Sequence, residues 1–231
     1  MSGRAGDKST LQHSGQESAG ISVSNFGEIV TYKGMGLTAD VFTPEPFNNL
    51  VGNAAIGHVR YSTTGASKLE NAQPLESRYK LGQIAVAHNG NLTNAKIIRE
   101  LLEDAGSTFN TSIDSEVIIK MIARKANGNV EDAIRSTVGA IKGAYALVIL
   151  AGNKLVGVRD PYGIRPLCLG INENGDYILA SESCAIDAVG GTLIRDVLPG
   201  EMVIIDEKGD IWYPFNLKHQ PNVAENMDTQ E

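Results

Sequence analysis

Cysteine is scarce in this chain of 231 residues, which holds only Cys168 and Cys184. Their spacing fits neither a zinc site nor a redox pair, and two thiols build no disulfide framework, so the expectation is a reducing compartment. Both lie in apolar or small-residue surroundings and read as buried core residues. Long hydrophobic runs are missing as well. The longest, from Ala144 to Ala151, falls short of the ~20 residues that a membrane span requires, and no cleavable apolar leader opens the sequence. Basic charge is thin: 20 Lys and Arg stand against 27 Asp and Glu, for a net charge of -7. With no basic cluster, nucleic acid is not an expected partner. These absences together predict a cytoplasmic protein with no membrane and no nucleic-acid partner.

What the sequence does have is apolar residues, at 42%, and 25 glycines. That balance suits one domain with a sizeable core, many turns and a mixed α and β composition. Short apolar runs at Gly20 to Ser24, Ile29 to Tyr32, Ala54 to Val59 and Gln83 to His88 predict strands. Helical spacing follows. Asn94 is placed to cap a helix whose apolar face is Ile97, Ile98, Leu101 and Leu102, stopped by Gly106. Asp114 opens a second helix burying Val117, Ile118, Met121 and Ile122, and Asn129 a third with Ala133, Ile134, Val138 and Ile141. After Gly143 the pattern returns to strands at Ala144 to Leu150, Lys154 to Val158, Tyr177 to Ala180, Met202 to Asp206 and Ile211 to Tyr213. Lys208-Gly209 between the last two predicts a hairpin.

Two segments carry candidate chemistry. Gly57-His58-Val59-Arg60-Tyr61-Ser62-Thr63-Thr64-Gly65 offers a guanidinium beside the hydroxyls of Ser62, Thr63 and Thr64, a fork for a substrate carboxylate. Ala87-His88-Asn89-Gly90-Asn91-Leu92-Thr93-Asn94 offers a side-chain amide at Asn89 and an approachable backbone at Gly90, which suits an oxyanion formed on a carbonyl. An arginine clamp with an amide donor fits an amino-acid substrate. Each residue also has a plain structural reading: Asn-Gly is a common hairpin turn, Arg60 a surface ion pair, Asp114 a helix cap.

With Leu11-Gln12-His13-Ser14-Gly15-Gln16-Glu17-Ser18-Ala19-Gly20, Lys33-Gly34-Met35-Gly36-Leu37, Val158-Arg159-Asp160-Pro161-Tyr162-Gly163-Ile164-Arg165-Pro166-Leu167 and Ala180-Ser181-Glu182-Ser183-Cys184-Ala185, these segments resemble the class II glutamine amidotransferases. Arg60-Tyr61-Ser62-Thr63 and Asn91-Leu92-Thr93-Asn94 favour the amidophosphoribosyltransferase branch. The resemblance implies an α+β fold, a four-layer αββα sandwich of two antiparallel sheets of the N-terminal nucleophile hydrolase type. It assigns Arg60, with Ser62 and Thr63, to the glutamine α-carboxylate, Asp114 to the α-amino group, and Asn89 and Gly90 to the oxyanion. The implied activity is glutamine hydrolysis to glutamate and ammonia for phosphoribosylamine formation in purine biosynthesis.

The same resemblance exposes departures. The family's nucleophile is an N-terminal cysteine at the start of a strand, whose own amine serves as base. Residues 1–10 here contain no cysteine and no strand pattern, so residues 11–215 read as an amidotransferase domain lacking its first strand. Ser2 is too close to Leu11 to lead a strand across a sheet and back. Ser14 stands where the family carries arginine. Beyond Phe215 the family pattern stops, and 216–231 reads as a polar, disordered tail. The phosphoribosyltransferase half is absent, and with it the residues for magnesium, so no cofactor and no metal are expected in this chain. Its partners are then glutamine and a chain supplying that missing half. The expectation is a catalytically inactive glutaminase module, and the alternative is a non-catalytic module that binds glutamine or a partner chain.

Overall fold

The computed structural model describes residues 17–61 and 67–216. The expectations for residues 1–16, including Ser2 and Ser14, and for the tail after Asn216 lie outside them.

Strand β1 (Ser18–Asn25) is buried along nearly its whole length. It turns back at Phe26-Gly27, both with positive φ, into β2 (Glu28–Met35), and its other edge pairs with β3 (Ala54–Arg60). The result is a three-stranded antiparallel sheet of order β2-β1-β3. Helix α1 (Thr38–Val41) lies against it. Its Val41 side chain fills the space over Gly34, where any Cβ would approach within 2.9 Å.

Strands β4 (Leu75–Tyr79) and β5 (Gly82–Leu92) form a hairpin. Three helices follow: α2 (Ala95–Asp104), α3 (Ser115–Lys125) and α4 (Val130–Val138). Asn129 caps α4 by accepting the Asp132 amide at 2.7 Å, as a cap residue does. The chain then runs through β6 (Gly143–Ala151), β7 (Lys154–Arg159), β8 (Cys168–Ile171), β9 (Tyr177–Ala180), α5 (Ser183–Ala188), β10 (Thr192–Asp196), β11 (Glu201–Ile205) and β12 (Ile211–Asn216).

Strands β4 to β7 with β11 and β12 build a six-stranded antiparallel sheet of order β12-β11-β7-β6-β5-β4. Strict alternation gives it two apolar faces. On β6, Tyr145, Leu147 and Ile149 join the helical core with Val117, Ile118, Ile122 and Ile134. Each of these large side chains contributes on the order of 1.5–3 kcal/mol by leaving water. The intervening Ala146, Val148 and Leu150 face the opposite way, onto two smaller sheets. One is β2-β1-β3, packed through Ile29 and Ile56; the other, of order β10-β8-β9, packs through Leu169 and Leu179. Helix α5 covers the outer side of β8, its Ile186 seated against Gly170.

The architecture is the helix-sheet-sheet-helix arrangement of the N-terminal nucleophile hydrolases. Its second sheet layer, among the described residues, consists of two hydrogen-bonded sheets where the sequence suggested one. Other expectations also change. Asn89-Gly90 is not a turn: β5 continues unbroken through Leu92, because β6 pairs with it along that whole length. Ile97 and Leu101 are 62% and 63% exposed, and only Leu102 of their helix is fully buried, so the apolar stripe is narrower than the spacing implied. Asn94 makes no cap bond and instead bridges to Ala140 and Lys142. Cys168 is buried, but Cys184 is exposed, because α5 turns Ile186 inward and leaves its first turn facing out.

Candidate functional site

Where β3 ends, β5 passes the N-terminus of α3 and the loop after β7 folds back, the described residues enclose a polar cavity of about 370 Å³. Arg60, Asn89, Gly90 and Asp114 all line it. Four residues from three separate stretches of sequence thus meet at one rim. Ser62, Thr63 and Thr64 lie outside the described residues.

Arg60 is the last residue of β3 and is buried. Its Nη1 donates to Glu17 Oε1 at 2.7 Å, the two side chains being 7% and 12% exposed. Glu17 is itself fixed by backbone bonds to Arg60 and Gly36. The guanidinium is therefore an interior ion-paired group, and the surface-pair reading of Arg60 falls away.

Asp114 precedes α3 without making a side-chain cap bond. Its Oδ2 accepts the Leu92 amide at 2.8 Å, and its Oδ1 lies 3.6 Å from His88 Nδ1. Burial pushes its carboxyl up, but the His88 hydrogen bond and charge and the Leu92 and Ser115 backbone amides outweigh that, leaving it below the ordinary aspartate value. It is a preformed anion within reach of a cationic group.

His88 ties the site together. Its main-chain N–H donates to Gln73 Oε1 at 2.8 Å, and its carbonyl accepts Gln73 Nε2 at 3.3 Å. His58 Nε2 lies 3.2 Å from the same carbonyl. The His88 ring turns toward the helices, with Nδ1 3.1 Å from Ser115 Oγ. The Gln73 side-chain amide thereby clamps the β5 main chain at His88, next to Asn89. Gly90 has its own structural reason. With φ near 150°, a Cβ there would sit 2.0 Å from the Ala144 carbonyl oxygen, so only glycine lets β5 and β6 close beside the cavity.

Arg165, Pro166, Ser181 and Glu182 complete the rim. The loop carrying Arg165 is held by Asp160, whose buried carboxylate accepts the amides of Tyr162, Ile164 and Arg165. Arg159 donates from the other side to the carbonyls of Gly163, Arg165 and Val197. Gln73, His88 and Arg165 were not singled out from sequence. For His88 and Arg165 the signal was their place in the quoted segments; Gln73 offered none. No cysteine lines the cavity among the described residues, and no cluster of three metal-ligating side chains occurs among them.

A glutamine amidotransferase domain model matches residues 58–188, the stretch that carries Arg60, Asn89, Gly90 and Asp114. The chain belongs to the glutamine amidotransferase family. This amidotransferase domain is 44% identical over 209 residues to amidophosphoribosyltransferase 3, chloroplastic, of Arabidopsis thaliana, covering 90% of the chain and 39% of that protein. It is 48% identical over 200 residues to the amidophosphoribosyltransferase of Archaeoglobus fulgidus, covering 86% of the chain and 43% of that protein. Among solved structures, the glutamine phosphoribosylpyrophosphate amidotransferase of B. subtilis, complexed with ADP and GMP, superposes with a TM-score of 0.82 at 42% identity, covering 89% of the chain and 44% of that one. The domain thus spans about two fifths of the length of the relatives it matches. No helix among its described residues is long and apolar enough to cross a membrane.

Proposed function

We propose that the cavity binds glutamine, as the glutaminase half of a cytoplasmic amidophosphoribosyltransferase that hydrolyses glutamine and passes ammonia to phosphoribosylamine formation in purine biosynthesis. The observation that carries this reading is the convergence of Arg60, Asp114, Asn89 and Gly90 on one cavity. Arg60 takes the α-carboxylate and Asp114 the α-ammonium, so the two ends of an amino acid are read by opposite charges. Asn89 and the Gly90 amide then face the side-chain carbonyl, where a tetrahedral oxyanion would develop. Ser62 and Thr63 belong to the same carboxylate grip.

Hydrolysis further requires a nucleophile, which the family resemblance assigns to an N-terminal cysteine. Cys168 is buried and Cys184 exposed on α5, and neither borders the cavity. The 231-residue polypeptide taken alone is accordingly expected to hold glutamine without turning it over. The second reading, a non-catalytic glutamine-binding module, is favoured by that same lack of a bordering thiol. Magnesium and the phosphoribosyl acceptor belong with a phosphoribosyltransferase partner in this proposal.

Titration calorimetry tests it. Glutamine is expected to bind in the millimolar range, about -4 kcal/mol, and binding should vanish in both Arg60→Ala and Asp114→Ala. Undiminished affinity in the two variants would remove the assignment. Ammonia release above buffer by the polypeptide alone would overturn the inactive reading.

A further inference from the structure

Residues 71–73, which precede β4, bond beside both Asp114 and Asn89. Asn71 is wholly buried; its Nδ2 donates to Ser112 Oγ at 3.0 Å and its Oδ1 accepts the Ser112 amide at 3.1 Å. Ser112 stands two residues before Asp114. Gln73 makes the matching pair of bonds to the His88 main chain, one residue before Asn89. The reason lies in the ladder: β4 pairs with β5 from Tyr79 up to Leu75, opposite Val86, so at His88 the buried strand edge is completed by a side-chain amide in place of a main-chain partner. Between the two, the Ala72 carbonyl accepts Lys33 Nζ of β2 at 2.7 Å. The Gln73 carbonyl lies so close over β1 that a Cβ on Gly20 would approach it within 2.2 Å. The segment is thus held by β1, β2, β5 and the loop before α3.

We infer that residues 71–73 are a positioning strap, in which Asn71 sets Asp114 and Gln73 sets Asn89, so that the carboxylate for an α-ammonium and the amide for a side-chain carbonyl keep one fixed separation. Each of the two strap side chains offers a donor and an acceptor on one planar amide, which is what a peptide N–H beside a hydroxyl or a carbonyl requires. From the helix side the loop before Asp114 is held by Glu116, whose carboxylate accepts the Asn110 and Thr111 amides, and by Arg99, which donates to the Thr111 and Ile113 carbonyls. Asn71 adds the tie toward the strand that carries Asn89. A displacement of about 1 Å in a group that reads a ligand is enough to cost much of its contribution. The role rests on the glutamine reading and deepens it, naming the residues that space its two ends.

Three ligands separate the two ties in a nuclear magnetic resonance titration of the 231-residue chain: glutamine, norvaline, which lacks the side-chain amide, and glutaramate, which lacks the α-ammonium. In Gln73→Met the preference for glutamine over norvaline is expected to fall about tenfold, the worth of a hydrogen bond at the side-chain carbonyl, while the preference over glutaramate stays. In Asn71→Leu the pattern reverses. Equal loss of both preferences in each variant, or no loss in either, would make the strap a structural element only and overturn its role. Should a variant not fold, the unaltered chain decides. There the Gln73 side-chain amide signal is expected to shift with glutamine and glutaramate but not norvaline, and the Asn71 signal with glutamine and norvaline but not glutaramate; shifts that ignore which group the ligand carries overturn the strap. An unaltered chain that prefers glutamine to neither analogue brings down the glutamine reading itself, whereas preferences kept in full by parent and variants alike remove the strap alone.

Discussion

Arg60 lines the polar cavity and is held there by an ion pair with Glu17. The carboxylate sits against the guanidinium in a nearly dry environment, so removing it leaves a charge whose burial is no longer offset in the same way. Glu17→Ala is expected to lower unfolding free energy by about 3 kcal/mol, read as a shift in the urea midpoint. An unchanged midpoint would mean that the pair is no stronger than a surface contact. Asp114 carries a pH signature. Because its carboxyl is held below the ordinary value, it contributes stability above the unfolded aspartate value of about 3.9, and loses it as pH falls through the folded value. Asp114→Asn should therefore be less stable than the parent at pH 7, with the difference shrinking below about pH 4. A constant difference across that window would assign the effect to packing.

At the scale of elements, Gly90 is the position where strand pairing and site geometry meet. Gly90→Ala forces a Cβ into the Ala144 carbonyl, and is expected to destabilise the fold by more than about 4 kcal/mol, the range reserved for a buried backbone clash. A soluble variant with native circular dichroism and an unchanged melting midpoint would refute that. The sequence was legible where periodicity is long. Strands β6 and β7 appear within one residue of their expected bounds, and α3 and α4 begin beside Asp114 and Asn129 as expected, although α4 stops at Val138 and leaves Ile141 buried beyond its end. It was not legible at β8 or β10, each four or five residues long and interrupted by glycine or charge. Asn89-Gly90 misled locally, since a dipeptide favoured in turns here lies within a ladder that β6 imposes through the distant partners Ala146 and Tyr145. Of the site, Arg60, Asn89, Gly90 and Asp114 were visible in their motifs. Gln73 was not, because its clasp on His88 depends on where the chain before β4 happens to pass.

For the whole molecule, the division of cores predicts uneven stability. The helical core spans five of the six strands of the large sheet, whereas β2-β1-β3 is anchored through the much smaller group around Ile29 and Ile56. Amides of β6 should exchange slowest and those of β2 far faster, because local opening follows buried apolar contact. Equal protection in both would show that the sheets open as one cooperative unit.

Gly57, His58, Val59, Asn89 and Ser181 border both the polar cavity and a second one of about 370 Å³ that lies between β3 and β9 over Ala87, Ala146 and Val148. A shared wall makes the two compartments energetically reciprocal: any occupant of one that favours a particular setting of the Asn89 amide alters affinity in the other by an equal factor, in both directions. An occupant of the second cavity would thus tune affinity in the polar one without touching whatever binds there.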